Sequence, residues 1–88
     1  MEWRRTERIV KGVANHRRLQ ILDLLQKKPE LSVNEIADTF KINFKTASEH
    51  IRRLALAGLL MKRNEGNFVR HKLTTRGQTI LKFLRILE

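Results

Sequence analysis

The run Asn43-Phe-Lys-Thr-Ala-Ser-Glu-His-Ile-Arg-Arg-Leu-Ala-Leu-Ala-Gly58-Leu-Leu60 reads as a helix opened by an asparagine cap and closed by a glycine. Its apolar positions Ala47, Ile51, Leu54 and Gly58 recur at steps of four, three and four, so at about 100° per residue they line one side that must pack inward. The opposite side carries Lys45, Glu49 and Arg52, flanked by Thr46 and Arg53. Small or aliphatic residues inward and cationic or hydrogen-bonding residues outward suit a helix to the major groove of duplex DNA, which is wide enough to admit it. The same pattern describes an ordinary amphipathic surface helix, so the neighbouring sequence has to decide.

The preceding stretch, Leu31-Ser-Val-Asn-Glu-Ile-Ala-Asp-Thr-Phe40, sets Ser32 and Glu35 at the spacing of a capping box and predicts a short helix starting at Val33. Ile36, Ala37 and Phe40 give that helix an apolar stripe, and only Lys41-Ile42-Asn43 separates it from the next. Two short helices joined by a tight turn, the second basic on its outer face, form a helix-turn-helix signature. A left-handed glycine often occupies such a corner, and Lys41 there carries a conformational cost.

Eighty-eight residues allow one small domain, 1–88, with a core supplied by Leu and Ile and an aromatic part from Trp3 and four Phe. A core of that size is marginal, and burial against a second chain would add to it. The absence of cysteine removes disulfides, thiolate metal sites and cysteine nucleophiles together. No apolar run approaches the length of a membrane span and the basic N-terminus lacks an apolar signal core, so the expected partners exclude a membrane and the expected compartment is the cytoplasm. The net charge of +10 is unevenly spread: residues 41–76 hold nine Lys/Arg against two acids, whereas 19–40 hold two against four. Positive charge concentrated on the recognition stretch and the segment C-terminal to it is the footprint of a chain that neutralises phosphates.

Outward from the centre, Glu2 to Ala14 places Trp3, Thr6, Val10 and Val13, with Ile9 beside them, at helical spacing, and Gly12 weakens that helix slightly. Asn15 is a natural break and cap, after which His16 to Lys28 forms a Leu- and Ile-rich helix that Pro29 ends. Leu31 to Val33 has room for one or two residues of strand. After Gly58 the period changes to two: Leu60 to Arg63 and Phe68 to Leu73 are strands around an Asn64-Glu-Gly-Asn67 tip. On the second strand Val69, His71 and Leu73 point one way, and Phe68, Arg70 and Lys72 the other. A basic wing of this kind can follow the DNA backbone or reach the minor groove, which makes Lys62, Arg63, Arg70 and Lys72 phosphate candidates. Thr74 or Thr75 caps a last helix running to Leu87, with Ile80, Phe83, Leu84 and Leu87 on one side. The fold expected is therefore mainly α with a small β-hairpin, a winged helix-turn-helix of about five helices and a two-stranded wing. Apolar residues left over on segments 1–14 and 75–88, namely Trp3, Val10, Val13, Ile80, Phe83, Leu84 and Leu87, are expected to form a two-fold homodimer interface.

With these elements in place, the chain resembles the winged helix-turn-helix of ArsR-like regulators. His16-Arg-Arg-Leu-Gln-Ile-Leu-Asp-Leu-Leu25 is similar to the helix that leads into their motif, Leu31-Ser-Val-Asn-Glu-Ile-Ala37 to their support helix, and Thr46-Ala-Ser-Glu-His-Ile-Arg-Arg-Leu-Ala-Leu-Ala-Gly-Leu-Leu60 to their recognition helix. The Leu73-Thr-Thr-Arg-Gly77 step into the last helix is closer to MarR-like proteins. The resemblance implies a homodimeric transcriptional regulator in which Phe44, Lys45, Thr46, Ser48, Glu49 and Arg52 face an operator in double-stranded DNA. Metal-sensing members use Cys or Asp/His/Glu sets that this chain lacks, so no metal or other cofactor is expected. Glu49 is acidic on a face that meets phosphates; it either accepts from a cytosine amino group or braces Arg52 or Arg53.

His16, His50 and His71 have no ligand-like spacing, and no phosphate loop, nucleophile elbow or acid-base carboxylate pair occurs, so an enzyme is not expected. The alternative from another class is a winged helix that serves as a protein-interaction module without specific DNA binding. Phe44 is placed to touch either a thymine methyl or the core. Leu56 falls on the outer side of an ideal helix, where the wing or a partner would have to cover it.

Overall fold

The computed structural model describes residues 1–88. The elements run α1 (Trp3–Val13), α2 (His16–Lys27), α3 (Val33–Phe40), α4 (Phe44–Leu56), β1 (Leu60–Glu65), β2 (Phe68–Leu73) and α5 (Thr75–Leu87), the winged helix-turn-helix order. Each helix starts on a side-chain cap that satisfies amides left without helical partners. The Asn15 side-chain Oδ1 accepts the amides of Arg17 and Arg18 at 2.9 and 3.2 Å. Ser32 and Glu35 exchange bonds of 3.2 and 3.0 Å to complete the capping box, and Asn43 accepts the Thr46 amide at 2.7 Å. Thr74, not Thr75, caps α5 by accepting the Gly77 amide at 3.0 Å.

The corners follow from backbone conformation. Lys41 sits in the left-handed region (φ 54, ψ 43), and its amide closes onto the carbonyls of Ala37 and Asp38. A side-chain-bearing residue in that conformation costs about 1 kcal/mol. Gly58 takes φ 77 without that penalty and turns the chain from α4 into β1, while the Leu59 amide bonds back to the Leu54 carbonyl at 3.0 Å. The strands pair antiparallel from Leu60 with Leu73 to Glu65 with Phe68. β1 therefore runs two residues past the expected Arg63, and the tip narrows to Gly66-Asn67, the glycine-first order suited to a two-residue hairpin loop. Leu31 forms a single bridge to His71 on the far edge of β2, which is the short strand expected ahead of the capping box.

α3 and α1 both pack on α4, and α2 packs on β2 and α5. Ile21, Leu22, Leu25, Ile36, Ile51, Leu54 and Leu59 are fully buried. The core is aliphatic, against expectation: Trp3, Phe44, Phe68 and Phe83 are exposed and Phe40 is half-buried. At the α1–α4 crossing a Cβ built on Gly12 would lie 2.5 Å from the Ala57 Cβ. Gly12 is thus a packing residue as well as a weak helix former. No helix is long and apolar enough to cross a membrane.

Candidate nucleic-acid interface

Ala47, Ile51 and Leu54 root α4 in the core, which fixes what its outer side presents. Phe44, Lys45, Thr46, Glu49, Arg52 and Arg53 are exposed along that side, and Ser48 is half-buried at its edge. Glu49 is the hub of this surface. Its carboxylate accepts from Arg52 Nε at 3.0 Å and Nη2 at 2.7 Å, and from Arg53 Nε at 3.1 Å. Those bonds, Arg52 first, pull the Glu49 pKa down to about 2. The carboxylate is therefore charged at any pH near neutrality, and both arginines are held in place by a residue of their own helix.

Phe44 stays 56% exposed, so it belongs to the outer surface and not to the core. Leu56, at 72% exposure, is covered neither by the wing nor by another element. It lines an open groove of about 230 Å³ between α1 and α4 with Arg8, Lys11, Gly12, Arg53 and Ala57.

The strand register sorts the wing residues. Arg63 pairs with Arg70 and Met61 with Lys72, while Lys62 pairs with His71. Arg63, Arg70 and Lys72 therefore share one face, and Lys62 lies on the opposite one beside a buried histidine. Of the four phosphate candidates, Lys62 thus stands on the face opposite the other three. Arg63 and Arg70 are also engaged: Arg63 with Glu30 and Glu65, and Arg70 with Glu35 and Glu65. Lys45, Lys62 and Lys72 make no ion pair, since each of the nine in the molecule involves other cations.

The acids Glu30, Glu35 and Glu65 are the residues of this region that sequence reasoning missed as charge partners. Their arginines lie 33 and 35 positions away for Glu30 and Glu35, beyond any helical or strand period. Also missed was the setting of His50, on the flank of α4, whose Nδ1 is buried without a partner. Burial, then the charges of Arg18, Arg17 and His16 at the start of α2, hold its pKa below the usual value, against a smaller opposing pull from Glu49.

Of the residues expected to meet a second chain, Trp3, Val10, Phe83 and Leu87 are exposed. Val13 is not: it is 8% exposed and part of the core, because α1 crosses α4 at that turn. Ile80 and Leu84 are half-buried against the same core.

The chain is 46% identical over 59 residues to the HTH-type transcriptional regulator Rv0324 of Mycobacterium tuberculosis, a match covering 67% of this chain and 26% of that protein. It thus spans about a quarter of the length of that relative. Among solved structures, the homodimeric winged helix-turn-helix DNA-binding domain of Mb0332 from Mycobacterium bovis, a possible ArsR-family regulator, superposes with a TM-score of 0.88. The two are 31% identical over 97% of this chain and 79% of that one. HlyU from Vibrio cholerae superposes with a TM-score of 0.84 at 32% identity, over 99% of this chain and 97% of that one. Residues 15–62, which hold α2, the whole helix-turn-helix and the root of the wing, match the model of the arsR family. The chain belongs to the arsR family of bacterial regulatory proteins.

Proposed function

We propose that the chain binds double-stranded DNA as a homodimer, each copy setting α4 in the major groove and its wing on the adjacent backbone or minor groove. The observation that carries this reading is the outer side of α4. There Lys45, Thr46 and Arg52 stand exposed on a helix whose other side is immobilised in the core. Arg52 rests against Glu49 through Nε and Nη2 and, turned outward by a change of rotamer, offers a two-pronged donor to the paired acceptors on the edge of a guanine. The Mb0332 domain, described as homodimeric and DNA-binding, supports the same use here. In the dimer, segments 1–14 and 75–88 would supply the interface through Trp3, Val10, Phe83 and Leu87, which are exposed in the single chain. Two recognition helices about 34 Å apart would then read a palindromic operator.

The test is selection of bound sites from random duplexes, followed by titration of the recovered site at several salt concentrations. A palindrome should emerge, and affinity should fall log-linearly with salt. Arg52→Ala should cost about 1–3 kcal/mol and relax preference at the base it reads, whereas Lys45→Ala should weaken all sequences alike. Binding that ignores salt and both substitutions would reject the interface and favour a protein-interaction module.

A further inference from the structure

The two sets of arginines on this surface are held in physically different ways. Glu49 sits three and four residues before Arg52 and Arg53 on one helix. Releasing those arginines to DNA is a rotamer change that moves no element. Arg70 is bound across elements. Its Nη1 donates to Glu35 Oε1 at 3.2 Å and lies 3.5 Å from the Glu30 carbonyl oxygen. Its Nε is 3.8 Å from Glu65 Oε2, and its guanidinium stands over the Phe68 ring at 5.0 Å. It is also the one wing cation that is half-buried, Lys62, Arg63 and Lys72 being exposed.

Glu35 in turn is the capping-box residue of α3 and accepts the Ser32 amide at 3.0 Å. Arg70 is thereby tied to the first turn of the helix that α4 packs against. Arg63, directly opposite Arg70 in the strand pairing, repeats the arrangement, donating to Glu30 Oε2 and Glu65 Oε2, each at 2.8 Å. The backbone closes the same seam, with the Glu30 amide on the His71 carbonyl at 2.8 Å and the His71 amide on the Leu31 carbonyl at 3.0 Å.

Resting on the DNA-binding reading above, we propose that Arg70, assisted by Arg63, is a positioning residue that sets the angle of the wing to the recognition helix through Glu35. On this view neither arginine is a phosphate ligand, and the face of the wing that carries them meets phosphates through Lys72. An arginine already shared by carboxylates and a carbonyl gains little by exchanging them for a phosphate, and leaving them would unfasten the wing from α3. A lysine without a partner gives up nothing when it displaces a counterion from the duplex.

Duplex binding is measured against salt for the intact chain and for Arg70→Ala, Glu35→Gln, Lys72→Ala and the Arg70→Ala, Glu35→Gln double variant. Glutamine keeps the capping box while removing the charge. The brace predicts that Arg70→Ala and Glu35→Gln each weaken binding roughly three- to tenfold, with the slope of log K against log salt unchanged. It also predicts a double variant no worse than either single one. Lys72→Ala should instead make the slope shallower by about 0.9. The result for Glu35 is the sharpest, because removing an acid near DNA strengthens binding when charge alone matters.

Amide exchange without DNA provides a second readout. Protection of the Glu30 and His71 amides should fall in Arg70→Ala and Glu35→Gln and stay intact in Lys72→Ala. A slope lowered by about 0.9 in Arg70→Ala, tighter binding by Glu35→Gln, or unchanged exchange would each overturn the brace. If the intact chain binds no duplex, the DNA reading is lost and the exchange experiment alone decides the brace.

Discussion

Gly12 shows how a residue's worth depends on what stands opposite it. By helix propensity alone, Gly12→Ala should stabilise α1 by about 1 kcal/mol. The methyl group, however, would meet the Ala57 Cβ at 2.5 Å, with the Arg53 carbonyl at 3.5 Å behind it. Relieving that clash requires α1 to back away from α4, and overpacking of this kind costs about 1–3 kcal/mol. The clash outweighs the propensity. Gly12→Ala should lower the urea midpoint of unfolding at unchanged m-value, and a raised midpoint would mean that the crossing has slack. Lys41 is the opposite case. Its left-handed conformation was foreseeable from the three-residue turn alone, because the corner is a property of local backbone and not of a distant neighbour.

At the scale of the element, α4 tests whether cap chemistry and DNA electrostatics can be separated. Asn43 accepts the Thr46 amide at 2.7 Å, so Asn43→Ala should destabilise the chain by about 1 kcal/mol. Asn43→Asp should keep the cap and gain from the helix dipole, yet weaken DNA binding by adding a negative charge at the end of the helix that enters the groove. Stability equal to or above that of the parent chain, with reduced affinity, is the expected pair of results from thermal unfolding and duplex titration; affinity unchanged in the aspartate variant would place this end of α4 away from phosphates. Such caps were readable in the sequence because donor and acceptor lie within three residues, as with Ser32 and Glu35. The faces of α4 were readable for the same reason. What α4 packs against was not: the burial of Val13 and the exposure of Phe44 depend on how elements far apart in sequence cross.

In the molecule as a whole, the wing and the helix-turn-helix are joined through a histidine that titrates against folding. His71 is 1% exposed, and its Nδ1 lies 2.8 Å from the Leu31 carbonyl oxygen, to which it can only donate. Burial lowers its pKa, the Leu31 carbonyl partly restores it, and the charge of Lys62 lowers it again. His50 is shifted the same way, chiefly by burial. For both, the folded chain binds a proton less readily than the unfolded one, whose histidines titrate near 6.5. Their contribution to stability is therefore full above that pH and declines as pH falls through it. The carboxylates act lower down. Glu49, at about 2 against an ordinary 4.5, contributes above 4.5 and loses that contribution between the two values. Denaturant midpoints should consequently fall between pH 7 and 5, then fall again below 4.5. His71→Gln should flatten the first decline while leaving the second, and it should do so along with a loss of protection at the Glu30 and His71 amides, because the ring and the backbone seam share Leu31. A first decline that survives in the His71→Gln, His50→Gln double variant would assign it to another group and remove histidine burial as its cause.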